Sequence, residues 1–164
     1  MNQELKTFYD LAKDTRAGVL DWLETLPPEV FTLEHEQFAY GSLRNIYAHI
    51  ADCYLWWVGA VGLGLEQNVI KAKEVSELRE AFSKLDATIN EALGSFDSLD
   101  EPFSWTSPKG YKEILTRRWL ILHPITHEFH HKGQALALAR VLGHSHPGNP
   151  DTDLVTPKAI GEIK

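Results

Sequence analysis

The sequence predicts an all-α protein, a four-helix bundle that takes up residues 1–164 as a single domain. Four long segments repeat apolar residues at the three- and four-residue spacing of amphipathic helices. Prolines, glycines and capping residues separate these segments. The chain has 164 residues, 43% hydrophobic and 24% charged, which is enough to bury one core. Four such helices bury their apolar faces by packing into a bundle.

The first two helices are bounded by clear stop and start signals. The first is predicted over residues 3–25, and Pro27-Pro28 ends it. The second begins after Ser42, a good N-cap, and runs to about Leu63, beside the glycines that end it. Its stripe of side chains at helical spacing consists of Ile46, His49, Cys53, Trp56 and Ala60.

The third helix is predicted from about Ser76 to Gly94, and the fourth from Glu113 or Thr116 to about Leu142. Between them, residues 102–114 carry aromatic residues around a Pro-Lys-Gly turn and predict a short hairpin. The tail, residues 145–164, is rich in Pro, Gly and Asp and predicts an extended segment. Both links before the third helix exceed a tight turn, so one of them can be a long crossover.

Four histidines share one face of the fourth helix: His123, His127, His130 and His131. Two histidines four positions apart can bind one metal ion, because their side chains project from adjacent turns. His49 lies in the core-facing stripe of the second helix and supplies the third ligand. The sequence therefore predicts one divalent metal ion on His49, His127 and His131. Three neutral imidazoles leave a fourth coordination position open, as reactive sites do.

Other interpretations of these residues stay open. A core histidine is often only hydrogen-bonded, which would leave an interaction bundle without a metal. Cys53 can be a ligand or a small core residue. Asp52 can accept a hydrogen bond from an imidazole or face water. Trp56 and Trp57 can shape a pocket or fill the core.

The letters His127-Glu128-Phe129-His130-His131 match the H-E-x-x-H motif of zinc proteases. The longer motif also needs Gly at 134 and His at 137, where this chain has Gln and Ala. No glutamate follows on a later helix, so a protease is not favoured. Glu128 and Lys132, four positions apart on the helix flank, are instead expected to form a solvent-side ion pair.

Two further residues of the fourth helix raise questions of geometry. Pro124 removes a backbone hydrogen bond just before the histidine pair and predicts a kink or a break. A large break would carry His123 away from the site, and a small one would leave it beside the metal. Gly133 has no capping role in mid-helix and predicts close packing of a neighbouring helix or of a dimer partner.

Composition argues against several partners. The formal net charge is −7 and the basic residues are scattered, so no nucleic-acid partner is expected. No apolar run reaches the roughly 18 residues that span a bilayer, and the first residues lack the apolar stretch of a signal peptide. No membrane partner is expected either. With one cysteine no internal disulfide can form, which is compatible with a cytoplasmic location.

Two stretches, NIYAHIADCYLWWVGA and LHPITHEFHHKGQALALARVLG, resemble the DinB/YfiT-like superfamily of four-helix-bundle metalloproteins. The second contains that superfamily's H-x-x-x-H-(K/R)-G-Q pattern. The resemblance covers nearly the whole chain and places the family's metal triad on His49, His127 and His131. It implies a divalent ion, nickel or zinc, and a homodimer. The family name refers to induction by DNA damage, which is no evidence of DNA binding.

Characterised relatives in that superfamily include transferases and isomerases that use low-molecular-weight thiols such as bacillithiol or mycothiol. The resemblance thus implies a metal-dependent thiol transferase or hydrolase that acts on a small molecule. No catalytic side chain is assigned. The alternative is a non-catalytic metal-binding stress protein in which the ion holds the bundle together.

Overall fold

Four long helices make up most of the structure, a computed structural model that describes residues 2–148 and residue 154. Most of the predicted extended tail, residues 145–164, lies outside the described residues. The elements in chain order are the helices α1 (Gln3–Leu23), α2 (Pro28–Thr32) and α3 (Leu43–Tyr54), a π-helical segment (Leu55–Gly62), α4 (Val75–Ser95), the strands β1 (Phe103–Thr106) and β2 (Lys112–Leu115), and α5 (Arg117–Val141).

Side-chain caps explain where the long helices begin. The Ser42 hydroxyl accepts a hydrogen bond from the backbone N–H of Asn45 at 3.2 Å, which confirms the N-cap predicted there. Thr116 accepts from the N–H of Trp119 at 3.2 Å and so selects the later of the two predicted starts for α5. Each cap satisfies one of the backbone donors that a helix start leaves without a partner.

The bundle contains a crossover. α3 packs against α4 and α5, and α1 also packs mainly against α4 and α5. α1 and α3 therefore lie diagonally opposite each other in the bundle, and the rings of Tyr9 and Tyr54 meet across its core with their centroids 6.0 Å apart. Residues 24–42 make the connection across and contain the short helix α2.

Two elements were not expected from the sequence. α2 begins at Pro28, which was predicted only as a stop signal. The predicted second helix changes from α to π winding at Leu55 and keeps that winding to Gly62.

The predicted hairpin is confirmed: β1 and β2 are antiparallel, with Phe103 opposite Leu115 and Thr106 opposite Lys112.

α5 continues through Pro124 without a break, so His123 stays on the same face as the later histidines. Beside Gly133 no described atom, apart from its chain neighbours and the adjacent backbone of α5, lies within 4 Å of where a Cβ would stand. The predicted close packing there by another helix of the same chain is therefore wrong, and a dimer contact at this glycine stays a prediction.

Candidate metal centre

Three histidines converge between α3 and α5. One ring nitrogen each of His49, His127 and His131 lies within 4.8 Å of the other two. The ring centroids are 4.7 Å apart for His49 and His127, 4.7 Å for His49 and His131, and 4.2 Å for His127 and His131. The structure thus brings together the three residues that the sequence singled out as metal ligands.

Burial keeps these imidazoles in the form that binds metals. Desolvation is the largest cause that lowers the pKa of His127 to about 4, and the charges that its neighbours would carry, first that of His131, contribute the rest of the shift. Burial also lowers the pKa of His49 and of His131 below the ordinary value. All three rings are therefore neutral near pH 7, with a lone pair free for a cation.

Nε2 of His49 has two polar neighbours at hydrogen-bond distance. Their Nε2 atoms are 2.8 Å apart, and the Tyr40 hydroxyl lies 2.8 Å from the same His49 nitrogen. A ring nitrogen has either one hydrogen or one lone pair, so it cannot form good hydrogen bonds with both neighbours. Two nitrogens on one tetrahedral zinc ion lie about 3.4 Å apart, given bonds of about 2.0–2.1 Å. The pair would have to open from 2.8 Å to about that distance for both nitrogens to bind one ion.

Tyr40 is a site residue that the sequence did not indicate. It comes from the connection before α3, and its ring stacks on His49 with centroids 4.1 Å apart and an interplanar angle of 19°. It also meets the ring of His131 edge-on at 5.2 Å. No helical periodicity covers this loop, so only the tertiary structure shows that it closes over the histidines.

Gln134 fixes the orientation of His131. The Nδ1–H of His131 donates to the Gln134 side-chain oxygen at 2.7 Å, which leaves Nε2 as the nitrogen with a lone pair. The Gln134 amide nitrogen donates to Nε2 of the exposed His130 at 3.2 Å. Hydrogen bonds of this kind hold metal-binding histidines in one tautomer and one orientation.

Asp52 does not contact the imidazoles. Its carboxylate accepts a hydrogen bond from the backbone N–H of Ile70 at 3.0 Å, so the structure does not support the first of the two interpretations left open for it, an acceptor for an imidazole. Cys53 is buried, and its sulfur lies within 4.8 Å of ligating nitrogens of His123 and His127. Cys53 and His123 thus lie beside the three-histidine cluster, next to the shared ring of His127.

Half-buried tryptophans cover the end of the site next to His123. The ring of Trp119 stacks on His123 at 4.5 Å, and Trp57 meets it edge-on at 5.6 Å. Trp105 of β1 packs against Trp57 at 5.3 Å, and Trp56 lies 6.3 Å from Trp105. The predicted pair Trp56 and Trp57 is therefore part of a larger aromatic cluster beside the site, to which the hairpin contributes.

Glu128 belongs to the core of the bundle. Its carboxylate accepts hydrogen bonds from the Tyr54 hydroxyl at 2.7 Å and from the Arg16 guanidinium at 3.1 Å. Arg16 also donates to Asp86 at 2.8 Å. Glu128 and Lys132 are only 4% and 6% exposed, so the predicted position of these two residues on the solvent side is wrong. The structure also gives Glu128 no role as a protease base, since its carboxylate is held by α1 and α3.

The fold and the site define a class, the helical bundles in which histidines of facing helices form a candidate metal centre. The profile of the DinB family matches residues 1–157, and the chain belongs to that family. A crystal structure of a DinB-like protein from Bacillus cereus ATCC 10987 has a similar fold, with a TM-score of 0.66 and 19% sequence identity. The match covers 88% of this chain and 95% of that one.

None of the curated proteins compared with the chain matches it. Among the helices that the structure describes, none is both long enough and apolar enough to cross a membrane.

Proposed function

We propose that the protein is a metal-dependent enzyme that acts on a small molecule, with His49, His127 and His131 as ligands of one divalent ion. The observation that supports this most is the convergence of three neutral imidazoles from two helices. No fourth side chain is needed to complete the set, so one coordination position stays free for a substrate or a water molecule. Nickel and zinc are the proposed ions, because imidazole ligands suit both.

The proposed reaction is thiol transfer or a related hydrolysis. When bound, the ion supplies the Lewis acidity that lowers the pKa of a thiol or of a water molecule beside it. The only cysteine, Cys53, is buried, and burial raises its pKa to about 12, so its thiol is a poor nucleophile. The nucleophile therefore comes from outside the chain, as a low-molecular-weight thiol or as water.

The chain itself contributes binding and orientation. The Tyr40 hydroxyl lies at the rim of the histidine cluster and can donate a hydrogen bond to a ligand there. The half-buried tryptophans offer an apolar aromatic surface one ring away from His127, through His123. We propose that this surface binds the body of the substrate while the histidine cluster receives its reactive end.

A structural ion is the second candidate function. The cluster joins α3 to α5, so an ion there would cross-link two helices. Against this, the buried pairing of Arg16 with Glu128 already ties α5 to α1 without a metal. The proposed homodimer rests on the family resemblance, and light scattering on the purified protein tests it.

Reconstitution followed by activity assays tests the proposal. Protein loaded with nickel or zinc is mixed with bacillithiol, mycothiol or glutathione and a chromogenic electrophile, and separately with chromogenic esters. We expect metal-dependent turnover that His49→Ala abolishes and His130→Ala retains. Stoichiometric metal without turnover above that of the free ion in any assay would leave the structural ion as the function.

A further inference from the structure

A second cluster of possible ligands lies one helical turn away from the first. Cys53, His123 and His127 bring a sulfur and two ring nitrogens within 4.8 Å of one another. Cys53 follows His49 by four residues on α3, and His123 and His127 precede His127 and His131 by four on α5. The second cluster therefore repeats the first after a four-residue step of about 6 Å along each helix, towards the C-terminus on α3 and towards the N-terminus on α5.

The two residues that belong only to the second cluster have no other polar partner in the described part of the chain. Cys53 is only 8% exposed, and burial alone raises the pKa of its thiol. Burial is likewise the sole cause that lowers the pKa of His123. The stacked Trp119 and the edge of Trp57 hold the His123 ring in place. The Cys53 thiol and the His123 ring are thus held in place, and neither has a hydrogen-bond partner among the side chains that the structure describes.

We propose that Cys53, His123 and His127 form a second metal site that takes a thiophilic cation, such as Cd²⁺, Zn²⁺ or Cu⁺. Thiolate and imidazole together favour softer ions than imidazole alone. Cys53 binds as the thiolate, and its proton passes to solvent. A neutral His127 ring has one lone pair, so the second site and the three-histidine site compete for it and hold one ion between them.

Cadmium titration of the metal-free protein tests this inference, because a thiolate bound to Cd²⁺ gives an ultraviolet charge-transfer band. We expect the band to grow up to about one equivalent in the wild type. Cys53→Ser and His123→Phe should lose it, and the phenylalanine keeps an aromatic ring against Trp119. His49→Ala and His131→Ala should retain the band, as should the control His130→Ala. Circular dichroism confirms that each variant is folded, and Cys53→Ala replaces the serine variant if that one unfolds.

Three results would overturn the inference: no band in the wild type, a band that persists in His123→Phe, or a band that disappears in His49→Ala. Binding of a second equivalent of Cd²⁺ while the band is at its maximum would contradict the sharing of His127. The variants also separate this inference from the proposed enzyme, since His49 and His131 serve only the first site, and Cys53 and His123 only the second.

Discussion

Gln134 controls which nitrogen of His131 is available to an ion. Because the Nδ1–H of His131 donates to the Gln134 oxygen, the lone pair is held on Nε2. Gln134→Ala frees the ring to rotate and to change tautomer, and we expect the affinity for zinc or nickel to fall by about 10–100-fold. Isothermal titration of the metal-free protein measures it. His130→Ala is the matched control, since His130 reaches the site only through Gln134. Equal losses in both variants would contradict this role.

The lowered pKa of His127 makes the metal-free protein sensitive to mild acid. The folded ring titrates at about 4, whereas the same ring in the unfolded chain titrates near its ordinary 6.5. Below pH 6.5 this ring binds a proton more readily in the unfolded chain than in the folded protein. Its contribution to the free energy of unfolding is therefore complete above about pH 6.5 and is lost as the pH falls towards 4. His49, His123 and His131, whose pKa values burial also lowers, act in the same direction.

Urea denaturation of the metal-free protein between pH 7 and pH 5 measures this loss. We expect the free energy of unfolding of His127→Gln to depend less on pH than that of the wild type, because the variant lacks one imidazole whose pKa is lowered in the folded protein. A wild-type free energy of unfolding that stays constant over this range would show that the rings are not desolvated.

The sequence identified the three candidate ligands because their spacing is local on each helix and His49 lies within an apolar stripe. It could not place Glu128, whose partner Arg16 lies 112 positions away on another helix. A helical wheel shows a flank, but only packing shows that α1 covers that flank with a cation. The same limitation hid Tyr40, which reaches His49 from a loop.

Arg16 fixes the position of α5 against α1 through a buried ion pair. Arg16→Met leaves the Glu128 carboxylate buried without its cation, and we expect the free energy of unfolding to fall by about 3–5 kcal/mol. Chemical denaturation of the metal-free protein measures it. Arg118→Ala, which removes an exposed pair with Asp100, is the control and should change stability little. A cost for Arg16→Met no larger than that of the control would contradict a structural role for the buried pair.

The long elements were predictable because each repeats its apolar pattern over several turns. α2 is too short, at five residues, to show a period, and its first residue was interpreted only as a helix stop. The π winding after Tyr54 was also hidden, since Trp56, Trp57 and Val58 are as apolar as an α-helical core segment. The π segment is relevant to the proposed function, because it contains Trp56 and Trp57, two of the tryptophans beside the histidines.

Metal removal separates the two candidate functions in the intact protein. The core and the pairing of Arg16 with Glu128 do not depend on an ion, so we expect the chelated protein to keep its helical circular dichroism. Binding should add only the stabilisation set by mass action, about 2.7 kcal/mol at a free ion concentration one hundred times Kd. Thermal denaturation with and without chelator measures both. Complete unfolding on chelation would instead show that the ion is structural.

Metal content is the most direct test of an ion held between α3 and α5 by three histidines. Tag-free protein is analysed by mass spectrometry as the wild type, His49→Ala, His127→Ala and the control His130→Ala. We predict about one equivalent of a divalent metal in the wild type and in the control. Both ligand variants should lose it, although their changes lie on different helices. A wild type that contains no metal, and takes up none when nickel or zinc is added, would contradict the metal centre.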